Sequence, residues 1–190
     1  MGIKIPLQNQ DLAIGQNRKI ELSKYQNRII FMTPQEISNK LKQKFPEAIL
    51  EIKIEGVVDP YIKISPSNLK DIALYLRDDP DFQFDFLMCL SGMDYTKGTL
   101  GVVYNIFSMK KKHKVNLKVD VPKDKAEVPS VASVWPAANW HEREAYDLIG
   151  VKFLDHPDLR RILMPDDWEG HPLQKDYKVP EFYQGMKVPY

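Results

Sequence analysis

The sequence predicts an α+β fold: a mixed or antiparallel sheet with helices packed on one face, followed by an extended proline-rich C-terminal tail. Apolar residues recur at helical spacing in two short segments, and alternate with period two in the stretches between and after them. The order helix, two strands, helix, three strands, helix departs from the regular alternation of a doubly wound sheet. At 190 residues the chain has room for one packed core and a tail.

Residues 1–26 are polar, rich in Gln, Asn and Lys, and carry neither period, so they are expected to form a loosely held arm. A single domain is expected over 27–150, opening on Arg28-Ile29-Ile30-Phe31. Thr33-Pro34-Gln35-Glu36 is a capping box with proline at the first helical position, and it predicts a helix from 34 to 45. Ile37, Leu41 and Phe45 lie four apart and form its buried stripe. Ile49 to Ile54 and Tyr61 to Ile64 then alternate around the Asp59-Pro60 turn as a two-strand hairpin. Leu69, Ile72, Ala73 and Leu76 return to the helical period until Asp78-Asp79-Pro80. Phe82, Phe84 and Phe86 alternate up to Leu90, and strands at 100–107 and 113–121 complete a meander. Pro122 to Pro129 reads as a linker. A last helix follows, with Asn139 and Glu142 as an Asx capping box and Gly150 closing its C-terminus. In the tail, 151–190, prolines at 157, 165, 172, 180 and 189 forbid long helices and central strands. Leu159, Ile162, Leu163, Trp168 and Leu173 nevertheless make it apolar, so it needs a surface to lie on.

Composition narrows the function. Lys plus Arg number 27 against 26 Asp plus Glu, so the chain lacks the basic field of a general nucleic-acid binder. One cysteine, Cys89, excludes an intramolecular disulfide and a cluster held by four thiolates of this chain. Its place between Met88 and Leu90 reads as a small core hydrophobe. No signal-peptide core is seen in the first thirty residues, and no apolar run approaches the roughly 20 residues of a spanning helix. Membrane contact is therefore expected through partners. There is no phosphate loop and no dinucleotide fingerprint. His141-Glu142 opens like a zinc-protease helix, but the second ligand position, one turn on, is Ala145. His141, His156 and His171 have no fixed mutual geometry and read as separate polar or capping groups. Lys110-Lys111-Lys112 reads as a solvated hairpin turn rather than a cationic docking patch.

The segment from Trp135 to Tyr177 is denser in charge than stability explains, since exposed ion pairs contribute only about 0 to 1 kcal/mol. Arg143 and Asp147 are four apart and can pair on the helix. After them come His156-Pro157-Asp158-Leu159-Arg160-Arg161, Asp166-Asp167-Trp168 and His171-Pro172-Leu173-Gln174-Lys175-Asp176. Guanidinium groups beside carboxylates and aromatics suit either a protein interface or an internal ion-pair network. On an extended segment Arg160 and Arg161 point opposite ways, so one can pair inward with Glu142, Glu144 or Asp147 while the other faces outward.

Glu142-Arg143-Glu144, Asp147, Gly150, Phe153, His156 to Leu163, and Asp167-Trp168-Glu169-Gly170-His171-Pro172-Leu173 resemble the hallmark block of the C-type subunit of the proton-pumping NADH:quinone oxidoreductase, the respiratory complex I 30 kDa subunit family. Pro129-Ser130-Val131 and Trp135-Pro136 with Ala138 and Trp140 are similar to it as well. Gln174 stands where that family usually has arginine before Lys175-Asp176. The resemblance implies a peripheral-arm subunit with no cofactor or catalytic residue of its own. NADH, flavin, iron-sulfur clusters and quinone would belong to its partners. It also implies a tail docked on the D-type subunit, which holds the quinone site, near the iron-sulfur subunits of types B and I. The expected position is the cytoplasmic face of the membrane, or the matrix or stromal face in an organelle. The same block fits the corresponding subunit of related membrane-bound hydrogenases and ferredoxin-driven complexes. An autonomous acid-base enzyme using Glu142, Glu144 and His141 or His156 is the reading from a different class, and it needs two titrating groups held across a cleft.

Overall fold

The computed structural model describes residues 31–188, so the arm expected at 1–26 lies outside the described residues. Helix α1 spans Pro34–Lys44, and its capping box is formed in both directions: Thr33 Oγ1 accepts from the Glu36 N–H at 3.3 Å and Glu36 Oε2 accepts from the Thr33 N–H at 2.7 Å. Ile37 and Leu41 are fully buried, each contributing about 1.5 to 3 kcal/mol of transfer free energy. Strands β1 (Ile49–Lys53) and β2 (Tyr61–Ile64) form the expected antiparallel hairpin. Helix α2 (Leu69–Asp78) buries Leu69, Ile72, Ala73 and Leu76.

Strands β3 (Phe86–Asp94), β4 (Thr99–Phe107) and β5 (Lys114–Pro122) make the antiparallel meander. The hairpin joins it through β2 and β5, which run parallel with Ile62 opposite Leu117. The result is a mixed five-stranded sheet in the order β1-β2-β5-β4-β3. One face carries Val102, Tyr104, Ile106, Leu117 and Val119, all fully buried in a continuous core with the helices. The opposite face carries Lys63, Lys118 and Asp120, with a Lys63–Asp120 ion pair at 2.6 Å.

Three local expectations are corrected. Phe82 and Phe84 are not strand residues. Gln83 between them has φ +47°, and the Phe82, Gln83 and Phe84 N–H groups donate back to Asp79 and Leu76 at the end of α2. Both rings are fully buried, so the alternation arises from a left-handed turn. Pro122 to Pro129 is not a plain linker: a helical turn at Lys123–Lys125 leads into β6 (Glu127–Pro129), which pairs in parallel with β7 (Lys152–Leu154). Helix α3 (Ala138–Ile149) is the crossover between them and packs against β3. Cys89 is not a core residue. A bulge between Leu87 and Cys89 turns it to the open face, half-buried, 3.4 Å from Ser91 Oγ.

Between Asp155 and Val188 the chain is irregular except for a small hairpin, β8 (Phe182–Tyr183) and β9 (Met186–Lys187). No helix among the described residues is long and apolar enough to cross a membrane.

Candidate functional site

Helix α3 lies over the helix-bearing face of the sheet, and its side chains divide the family-like block into two buried centres and an exposed rim. The Asx capping box expected from Asn139 and Glu142 is absent. The helix begins earlier, at Ala138, its N-cap Ala137 supplies no side-chain bond, and Glu142 is turned into the core. There Glu142 Oε2 accepts from Ser130 Oγ at 2.6 Å and Oε1 accepts from the Val131 N–H at 2.7 Å. His156 Nε2 lies 3.9 Å from the same carboxylate, and both side chains are fully buried. The imidazole donates from Nε2 to the Asn139 carbonyl at 3.1 Å, while its Nδ1 accepts from the Asp158 N–H at 3.0 Å. Burial pushes the Glu142 carboxyl up to about 7, although the Ser130 and Val131 donors oppose it. The Tyr104 hydroxyl is buried with no hydrogen-bond partner among the described residues, and burial first, then the nearby Glu142, push its pKa well above the ordinary phenol value.

The second centre is Asp147, one face further along the helix and also fully buried. Arg143 does not pair with it. Arg161 Nη1 binds Asp147 Oδ1 at 2.6 Å, and Asp147 Oδ2 accepts three successive backbone donors, Ile162 at 3.0 Å, Leu163 at 2.7 Å and Met164 at 2.8 Å. Burial alone would raise this carboxyl, but the three N–H groups and the guanidinium outweigh it and hold it below its ordinary value. The other end of the Arg161 fork, Nη2, donates to the Trp168 and Gly170 carbonyls at 2.8 and 3.0 Å. Arg143 instead reaches across to the Arg160 and Arg161 carbonyls, both at 3.2 Å, with its guanidinium 5.4 Å from the Trp140 ring centre. A carboxylate and two arginines thus fasten 160–170 to the helix with charge-assisted bonds, replacing backbone bonds that an irregular segment lacks.

The tail continues over the C-terminus of α3. Gly150 adopts φ +86° as the left-handed cap expected of it, and donates to the Ala145 and Tyr146 carbonyls. Leu173 N–H donates to the Leu148 carbonyl at 3.0 Å, and Gln174 Nε2 to the Ile149 carbonyl at 2.7 Å. His171 Nδ1 is 2.9 Å from the Asp147 carbonyl. Gln174 therefore caps the helix with its side chain. A Cβ on Gly150 would stand 2.7 Å from His171 Cδ2. Gly150→Ala is accordingly expected to cost more than the ~1 kcal/mol of a left-handed alanine alone. Urea unfolding checks this, and a loss under ~1 kcal/mol would mean that the His171 contact yields freely.

The remaining block residues lie outside the two centres. Glu144 is exposed, and so are Pro157, Asp158 and Arg160, the last two paired at 2.9 Å. Asp167 accepts from Tyr183 Oη at 2.8 Å, and the Trp168 ring lies 5.0 Å from that of Tyr183. Lys175 is tied through its N–H to Asp94, Asp176 pairs with Lys123 at 2.5 Å, and Pro172 is half-buried. The histidines take three separate positions: His156 and His171 as above, and His141 beside Glu144 in an open recess. Among the described residues no three His, Cys, Asp or Glu side chains are arranged to hold a metal ion. Lys110 to Lys112 form the β4–β5 turn, where Met109 N–H is held by Asp85.

Of the acid-base candidates, Glu142 and His156 lie 3.9 Å apart, and both side chains are fully buried, away from any surface a substrate could approach. Trp140, Leu163 and Leu173, by contrast, are 65%, 60% and 57% exposed around the clamped segment.

Residues 62–183 match the family described as respiratory-chain NADH dehydrogenase, 30 kDa subunit. The C-type subunit of the NADH-quinone oxidoreductase of Chloroherpeton thalassium is 47% identical over 151 residues, which are 79% of this chain and 63% of that protein. Its counterpart from Chlorobium phaeobacteroides is 47% identical over 152 residues, 79% of this chain and 92% of its own length. Among solved structures, a trypsin-resistant fragment of Nqo5 superposes with a TM-score of 0.55 at 26% identity, covering 67% of this chain and all of the fragment.

Proposed function

The chain belongs to the respiratory-chain NADH dehydrogenase 30 kDa subunit family, and from that premise we propose that it serves as a cofactor-free docking subunit in the peripheral arm of a quinone-reducing complex. Its relatives are named as subunits of an oxidoreductase, so the chain is one part of a multi-subunit complex. In this reading the clamped segment and the tail seat against the D-type subunit that holds the quinone site, near the iron-sulfur subunits of types B and I, on the cytoplasmic face of the membrane. Donor oxidation and quinone reduction stay with those partners. The observation that carries the reading is the Asp147–Arg161 clamp. It uses up the buried charges internally and holds an irregular segment as a defined surface with Trp140, Leu163 and Leu173 outward. Aromatic and aliphatic anchors on a preordered surface are what a stable interface requires.

Affinity purification of the tagged chain from solubilised membranes tests this. It is expected to recover a quinone-site subunit and iron-sulfur subunits in stoichiometric yield, whereas recovery of the chain alone would overturn it. The purified chain by itself is expected to contain no stoichiometric iron, zinc or flavin by elemental analysis and visible spectrum.

The two arginines separate folding from docking. Arg161 is paired inside, so Arg161→Ala leaves Asp147 uncompensated and is expected to cost about 3 to 5 kcal/mol. Arg160 and its partner Asp158 are solvent-exposed, so Arg160→Ala is expected to leave the isolated chain's stability unchanged to within ~1 kcal/mol. Equal losses in chemical unfolding would contradict this division.

A further inference from the structure

The two edges of the sheet are built differently. Strand β1 is five residues long, carries Glu51 and Lys53, and is bulged between Ile49 and Glu51. These are the devices that keep an edge from accepting another strand. Strand β3, at the other edge, is nine residues long, Phe-Leu-Met-Cys-Leu-Ser-Gly-Met-Asp, with no charge before Asp94. Phe86, Met88 and Met93 are 47%, 39% and 41% exposed along it. The Tyr95 N–H donates to the Thr99 carbonyl. By the alternation of an antiparallel pair the Met93 and Ser91 amides then point toward β4, and those of Gly92 and Leu90 point outward. Among the described residues no other backbone group pairs with this outer edge.

Alongside the edge runs a recess of about 190 Å³ between β3, the outer flank of α3 and Leu173. Its apolar wall includes Leu90, Leu148 and Leu173, and Glu144 stands on its rim, exposed and without an ion-pair partner among the described residues. We propose that the outer edge of β3 is a strand-addition site, at which an extended segment of another subunit pairs with the backbone at Leu90 and Gly92, sets an apolar side chain in the recess and presents a Lys or Arg to Glu144. Backbone bonds would supply the affinity, while the recess and Glu144 fix the register. The occupant is a basic segment of a different chain. Two copies of this chain edge to edge would bring two Glu144 carboxylates to one junction without a cation from β3, whose only charged residue is Asp94. The inference rests on the proposed role as a subunit and names a contact that this role leaves open.

Hydrogen exchange at residue resolution on the full chain, alone and within the purified complex, tests it. Co-purification with the other subunits is scored first, because its failure counts against the subunit role itself. Within the complex, the Leu90 and Gly92 amides are expected to exchange at least 100-fold more slowly than in the free chain, with Ser91 and Met93 slow in both. Glu144→Lys is expected to return Leu90 and Gly92 at least tenfold toward the free rate. Its effect on the free chain's unfolding midpoint should be negligible, because Glu144 is exposed. Equal rates at Leu90 and Gly92 in free and assembled chain would overturn the proposal. So would protection that grows with concentration of the free chain, which would assign the edge to a second copy. Unchanged protection in the Glu144→Lys complex would overturn the assigned charge contact.

Discussion

Asp147→Ala is expected to be among the most damaging substitutions in the described structure, lowering stability by about 3 to 5 kcal/mol. Four donors converge on this one carboxylate: the Arg161 guanidinium and the Ile162, Leu163 and Met164 amides. Alanine removes the acceptor, strips the largely buried Arg161 guanidinium of its counter-charge and leaves three amides unsatisfied, a penalty that water can relieve only if the segment lifts off α3. Two readouts should therefore move together, the unfolding free energy and the exchange rate of the 162–164 amides. Asp147→Asn keeps one carbonyl acceptor and is expected to lose less. If the alanine variant unfolds like wild type with these amides still protected, the clamp does not hold the segment.

Between pH 5 and pH 8 the isolated chain is expected to lose stability through Glu142. Its carboxyl is raised from the ordinary 4.5 to about 7 in the folded state. The folded protein therefore holds this proton more tightly than the unfolded chain. That stability is fully present below pH 4.5 and is lost as pH rises through about 7. A shift of this size corresponds to about 3 kcal/mol. Asp147 has the opposite sign: its lowered value supplies stability above the ordinary carboxylate range that disappears as acid titrates it. Glu142→Gln keeps an acceptor for the Val131 N–H and can donate to Ser130 Oγ. The variant is expected to lose the Glu142-dependent fall over pH 5 to 8 and to exceed wild type by up to ~3 kcal/mol at pH 8. Parallel wild-type and variant profiles would assign the slope to a group other than Glu142.

Local chemistry was readable from the sequence where a residue's role is decided by its neighbours in the chain. Thr33 and Glu36 cap α1, Gly150 ends α3, and the hairpin and meander follow from alternation with turn residues between. What escaped depends on distant partners. Asn139 and Glu142 have capping-box spacing, but Ser130 and Val131 offer Glu142 buried donors, and the carboxylate turns inward. Arg143 and Asp147 have ion-pair spacing, yet each finds better partners in 160–164, where one arginine saturates two carbonyls and one carboxylate collects four donors. The parallel pairing of β2 with β5, and of β6 with β7, joins segments dozens of residues apart and leaves no mark in either period. Phe82 and Phe84 alternate without forming a strand because φ +47° at Gln83 restores the side-chain direction that a strand would give. The division between Arg160 and Arg161 was legible as a geometric necessity of adjacent residues. Which of them lies inside was not, since only the fold brings Asp147 to Arg161.

The docking role is tested most directly by quinone reductase turnover per assembled complex in membranes carrying Arg161→Ala, with assembly read on native gels. The expected result is a several-fold fall in the amount of assembled complex while each complex that does assemble turns over at the wild-type rate. Full assembly with turnover abolished would contradict it, because a residue that only shapes a surface cannot stop chemistry in a complex that has already formed.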